Sequence, residues 1–246
     1  MTTATVAPAA ELRIASRRRE HAFYLGMALA VLLVVFAGFA RTYYLRPWFT
    51  AGALRPLLHL HGIVFSSWVA LLLAQVALVA GGRTGLHRRL GVAGAVLATS
   101  MVLIGATTAI IRAGEGFSPP GGPPPLVFLV IPFGDMVVFA GLVGAGLAFR
   151  RRADTHKRLM LLATISLLAA PIARLPFGVL EAGPPAFFGL TDLLLVPMLV
   201  YDLVTRGRIH PATGWGALVI VASQPLRLLL GGSGAWLAFA GWLTGS

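Results

Sequence analysis

Apolar residues gather in seven long stretches, at roughly 22–40, 57–80, 91–111, 126–149, 159–176, 186–205 and 213–231, with short polar turns between them. Each is near the length of about 20 residues that a helix needs to cross a hydrocarbon core. The pattern predicts an all-α fold, a polytopic transmembrane bundle of seven helices. Residues 1–21 form a basic tail expected to be disordered, and residues 22–246 form a single transmembrane domain with no room for a further soluble one. The first stretch reads as a retained anchor. Its apolar run is too long for a signal-peptide core and lacks a small-residue cleavage site. Pro132, Pro171, Pro197 and Pro225 fall inside stretches, where each removes a helical hydrogen bond and favours a kink.

Charge then orients the bundle. The net charge of +12 would point to nucleic acid in a soluble protein, but here its distribution excludes that partner. Fourteen of the twenty cations lie in the segments before stretch one and after stretches two, four and six. Only Arg41, Arg46, Arg55, Arg112, Arg174 and Arg227 lie toward the other side. The positive-inside rule therefore predicts a cytoplasmic N-terminus and an external C-terminus in a bacterial-type cytoplasmic membrane, with lipid as the main partner. The proline- and glycine-rich loop from Arg112 to Pro125 is external and irregular, and the segment after Gly231, too short to span, lies along the outer surface.

With no cysteine, disulfides and thiolate chemistry are excluded. No phosphate-binding glycine loop, nucleophile elbow or His-Glu-x-x-His helix occurs, which argues against an enzyme of these classes. Chemistry is left to ionisable groups in apolar surroundings, which are costly there and therefore informative. In the outer half these are His59, His61, Asp135, Arg174, Asp192 and Arg227. They are candidates for an outward-facing polar site that binds a small ligand. His61, Asp135 and Asp192 combine imidazole and carboxylate, a set suited to a transition metal such as zinc, iron or copper. His59 and His61 point roughly 200° apart on a regular helix and cannot both face one ligand. The competing reading is structural: the aspartates pair with Arg174, Arg227 or Arg41 and lock the bundle.

On the basic side, Gly-Leu-His87-Arg-Arg-Leu-Gly opens the third stretch and Asp-Thr-His156-Lys-Arg-Leu-Met opens the fifth. These two histidines either cap their helices at the headgroup layer or face each other as axial ligands of haem b, with the following cations available to propionates. Asp202 and Arg206 read as an i,i+4 pair closing the sixth stretch.

The elements around Arg41-Thr-Tyr-Tyr, His59-Leu-His61-Gly, Gly134-Asp-Met, His87-Arg-Arg-Leu-Gly and His156-Lys-Arg-Leu-Met, with Asp192, Tyr201-Asp202 and Gln224-Pro-Leu-Arg227, resemble an uncharacterised family of bacterial predicted seven-span membrane proteins. The resemblance implies the seven-span architecture and no activity. His156 to Met160 is also similar to an element of a terminal-oxidase assembly factor family, which implies a role supporting a respiratory or redox complex. Histidines on successive helices resemble the di-haem cytochrome b proteins that ascorbate reduces. Asp135 stands where their pattern needs a histidine, so the resemblance implies at most one haem, on His87 and His156. A structural subunit of a larger membrane complex is the remaining reading.

Overall fold

A computed structural model describes residues 6–119 and 121–246, apart from the side chains of residues 6–10 and 13. The first helix, α1, runs from Val6 to Phe39 and widens into a π-turn at Ala40–Tyr44. The helix thus takes in residues 6–21 of the segment expected as a disordered tail, while residues 1–5 lie outside the described residues. Then follow α2 (Pro56–Ala80), α3 (Thr84–Gly114), α4 (Pro125–Ala148) and α5 (Ala153–Ile165). A short α6 (Ala169–Ile172) leads to α7 (Pro184–Leu193), α8 (Val196–Arg206), α9 (Pro211–Gly231) and α10 (Gly234–Thr244). Proline opens α2, α4, α7 and α9, where its missing N–H costs nothing and its φ suits the first turn. Gly82, at φ +71°, lets α2 turn directly into α3.

Among the described residues six helices are long and apolar enough to cross a membrane: α1, α2, α3, α4, the α7–α8 pair and α9. This is the surface of a multi-pass membrane protein, with large apolar side chains such as Leu33, Val204 and Leu229 turned outward. The seven continuous helices expected from the sequence are corrected to six. Stretch 159–176 does not form one helix. It breaks at Ser166–Leu168, where the chain falls back on i→i+3 bonds from Leu167 to Thr164 and Leu168 to Ile165. Pro171 supplies the reason, since it cannot donate to the carbonyl of Leu167 and its ring crowds that carbonyl. Pro197 acts in the same way on the sixth stretch, dividing it into α7 and α8. Pro132 and Pro225, in contrast, sit inside continuous helices.

The broken segment still covers the height of the bundle. At one end Lys157 Nζ lies 2.8 Å from Glu20 of α1, and at the other the Arg174 guanidinium lies 4.9 Å from the Phe39 ring. Those two points are about 28 Å apart along α1 at 1.5 Å per residue. Residues 161–165 are all buried, so the last turn of α5 is surrounded on every side. It packs on α4 and α9, and α4 also meets α3 and α10. The α10 segment differs from the surface strip expected: Trp236 is buried and donates its indole N–H to the Leu126 carbonyl at 2.8 Å. The loop before α4 is irregular, as its prolines predict. One end of the bundle carries the basic turns at 81–83, 149–152 and 207–210, and is called the basic end below.

Candidate functional site

At the end opposite the basic turns, the expected polar residues divide into separate groups. Asp135 on α4 and Arg227 on α9 form a buried ion pair. Arg227 also donates to Ser223 Oγ at 2.7 Å, and its guanidinium lies 5.6 Å from the Phe188 ring on α7. Its side chain crosses α4 at Gly134, where a Cβ would stand 2.5 Å from Arg227 Cδ, so glycine is what admits the arginine. Asp192 accepts from Gln224 Nε2 at 2.7 Å, one turn of α9 before Arg227. Arg174 donates to the Ala170 carbonyl and lies over Phe39. His59 is exposed beside Tyr43. His61 stacks on Phe65 with ring centroids 4.1 Å apart, and its Nδ1 is buried without a partner.

Asp135, Arg227 and, through Gln224, Asp192 are therefore tied to α9, whereas His59, His61 and Arg174 are not joined to them by any hydrogen bond or ion pair among the described residues. No group of three or more His, Asp or Glu side chains among the described residues is placed to hold a metal ion. An Asp135 carboxylate neutralised by a guanidinium is what the ion-pair reading expects. A buried pair of this kind ties helices together, because separating the two charges in an apolar interior is costly.

A second buried ion pair lies at the basic end, and sequence reasoning missed it. Asp202 on α8 was expected to pair with Arg206, but its carboxylate faces inward, fully buried, and takes Arg158 of α5. Arg158 Nε donates at 3.0 Å, Thr213 Oγ1 at 2.5 Å and the His210 backbone N–H at 3.1 Å. Arg206 reaches Asp154 at 3.4 Å instead. The reason is depth: the Asp202 carboxylate is buried and its oxygens are taken by Arg158, Thr213 and the His210 N–H, whereas Arg206, one turn on, is exposed and reaches Asp154. Hydrogen bonding from Lys157, with the charges of Arg158 and Arg206, holds the Asp154 carboxyl below its usual range. Burial, then the charge of Arg158, pushes the His210 imidazole below its usual value. The same ring caps α9, its Nδ1 accepting from the Ala212 N–H at 3.0 Å.

Beside that pair is a cavity of about 790 Å³ between α1, α2, α3 and the α4–α5 hairpin. Its depth is apolar, formed by Trp68, Leu72, Gly94, Val143 and Leu161. Its mouth, at the basic end, carries His87, Arg88, Arg150, Arg151, His156 and Lys157. His87 and His156 face each other there with ring centroids 6.3 Å apart and planes inclined by 76°. They hold equivalent positions in the first turns of α3 and α5, so the echo between the two sequence elements becomes a meeting of two helix N-termini.

The His156 ring is fixed by its surroundings. Its Nδ1 lies 2.7 Å from the Gly146 carbonyl, which can only accept, so Nδ1 carries the proton and Nε2 keeps its lone pair. This is the arrangement that orients metal-binding imidazoles. A Cβ at Gly146 would lie 2.9 Å from Met160 Sδ, so a larger residue there would require that side chain to shift. Among the described residues seven buried side-chain polar atoms have no partner. Three of them, Tyr24 Oη, Gln75 Oε1 and His87 Nδ1, belong to residues lining this one cavity. Unpaired buried polar groups are expensive, and their concentration marks a place built to receive something. Tyr24 and Gln75 were not legible beforehand, because a tyrosine and a glutamine in apolar stretches read equally well as interface residues. Searches for a matching protein family, curated protein or solved structure returned none for this chain.

Proposed function

We propose that this chain is a seven-pass protein of a bacterial-type cytoplasmic membrane, N-terminus inside, that takes up haem b at its cytoplasmic side, where His87 and His156 would hold the iron. The observation that carries this reading is the spacing of the two rings at the wall of an apolar cavity. The ring centroids of His87 and His156 stand 6.3 Å apart, a separation that would leave room for one iron to be held by a nitrogen of each ring. Haem held there by two imidazoles would supply one-electron transfer. The protein's part is to present Nε2 of His156 through the Gly146 carbonyl, to keep water from the apolar depth, and to provide cations where the cofactor's carboxylates emerge. Function as an electron carrier for a respiratory or redox complex follows from that chemistry.

The seventh pass is the segment from Lys157 to Arg174, broken at Ser166 and covered by its neighbours, where a non-helical turn is tolerated within a membrane protein. The Asp135–Arg227 pair serves as a lock between α4 and α9. A second reading, an outward-facing site for a small ligand or metal, is favoured by the buried unpartnered Nδ1 of His61. Metal analysis decides it, since stoichiometric non-haem metal lost on His61→Ala supports that site.

The test of the haem reading is the reduced-minus-oxidised spectrum of protein purified after expression with haem supply. Soret and α bands of a six-coordinate low-spin haem are expected, and both are lost in His87→Ala and in His156→Ala. Colourless wild-type protein, or bands untouched by both substitutions, overturns it.

A further inference from the structure

We propose that the mouth of the cavity is a dicarboxylate-recognition site, at which Arg88, Arg150 and Arg151 bind the two propionates of the porphyrin and so select a free-acid porphyrin over its neutral esters. The inference rests on the haem reading for its ligand but stands on separate residues. Among the described residues none of the three arginines forms an ion pair with a carboxylate, and Arg150 is engaged only with the Leu147 carbonyl at 3.1 Å. Lys157, the fourth cation at the mouth, is already neutralised by Glu20 at 2.8 Å and Asp154 at 2.6 Å. Glu20 is the one carboxylate that lines the cavity, and it faces Lys157. Three positive charges at the rim of an apolar chamber are therefore left for an anion.

Two further features point the same way. The α3 and α5 helices both begin at this mouth, and helix N-termini offer partial positive charge and free N–H groups to anions. Tyr24, buried and without a hydrogen-bond partner, lines the wall, which marks the chamber as built for an occupant rather than for packing. An amphiphile with an apolar body and two acidic groups at one edge matches this distribution. Guanidinium groups suit it because their paired N–H donors meet carboxylate oxygens two at a time.

The experiment titrates detergent-purified protein, stripped of bound pigment, with metal-free protoporphyrin IX and with its dimethyl ester, following quenching of tryptophan fluorescence. Iron is absent from both probes, so failure of histidine ligation leaves this test intact. Protoporphyrin IX is expected to bind at least tenfold more tightly than the diester to wild-type protein. In the Arg88→Gln, Arg150→Gln, Arg151→Gln triple variant that preference falls to within twofold, with affinity for the diester unchanged. Equal binding of acid and ester by wild-type protein, or a preference retained by the triple variant, overturns the proposal. Displacement of protoporphyrin IX by micellar phosphatidylglycerol but not by phosphatidylcholine also overturns it, assigning the arginines to anionic lipid headgroups. Loss of diester binding in the triple variant overturns it as well, since the arginines then hold the chamber open rather than read the acid.

Discussion

Replacing Asp202 by alanine tests whether the basic end of the bundle is held by charge burial. The substitution removes the carboxylate that receives Arg158, Thr213 and the His210 N–H, and leaves a guanidinium sealed among α5, α8 and α9. Arg158 then keeps only the backbone carbonyl of Asp154, at 2.9 Å, and a distant approach to its carboxylate at 3.6 Å. Breaking a buried pair by removing one partner costs about 3–5 kcal/mol, because the other charge remains uncompensated. Replacing both partners, Arg158→Met with Asp202→Ala, removes that uncompensated charge. It still leaves the His210 N–H and the Thr213 hydroxyl without their acceptor, at about 1–3 kcal/mol each at most. If the Arg158 substitution alone is as costly as the Asp202 one, simple addition predicts about 6–10 kcal/mol for the pair, whereas charge burial predicts a double variant no worse than either single one. The assay is reversible unfolding in mixed micelles, followed by far-UV circular dichroism for the wild type, both single variants and the double variant. A loss below about 1 kcal/mol for Asp202→Ala, or additive losses across the cycle, refutes the reasoning and makes the pair a surface-like contact.

Other expectations concern the outer lock and the cap of α9. Gly134→Ala places a methyl group against the Arg227 side chain and displaces it from Asp135, so a loss of about 1–3 kcal/mol is expected in the same unfolding assay; a neutral result shows that Arg227 has another route past α4. The His210 imidazole has its folded-state pKa below the ordinary value, and protonation also removes the lone pair that caps α9. Its contribution is thus full above about pH 6.5 and declines as pH falls from there through the depressed folded value, since the unfolded chain binds the proton more readily. His210→Asn, which can cap without titrating, is expected to remove that part of the pH dependence; an unchanged pH profile refutes the assignment.

Much of the architecture was legible in the order of residues. The apolar stretches located α2, α4 and α9 closely, and the middle of α3 but not its polar first turns from Thr84, because a bilayer-length apolar helix is a local property. Candidate chemistry was legible as residue types but not as partnerships. Asp135 and Arg227 were among the named residues, and their union needed only that α4 and α9 touch. The Arg158–Asp202 pair escaped because a basic run after a turn reads as a solvated edge, and nothing in it reveals that Arg158 is buried.

The sequence by itself determined a lipid-facing helical protein, the spacing of its turns and the sidedness of its charge, since burial in hydrocarbon depends on runs of neighbouring residues. Tertiary structure alone decided that stretch 159–176 is surrounded by its neighbours, and that two histidines 69 positions apart meet over one cavity. Helix contacts depend on which small residues let backbones approach, as Gly38 of α1 does against the Pro171 backbone of α6, and that is settled by three-dimensional packing rather than by any local pattern.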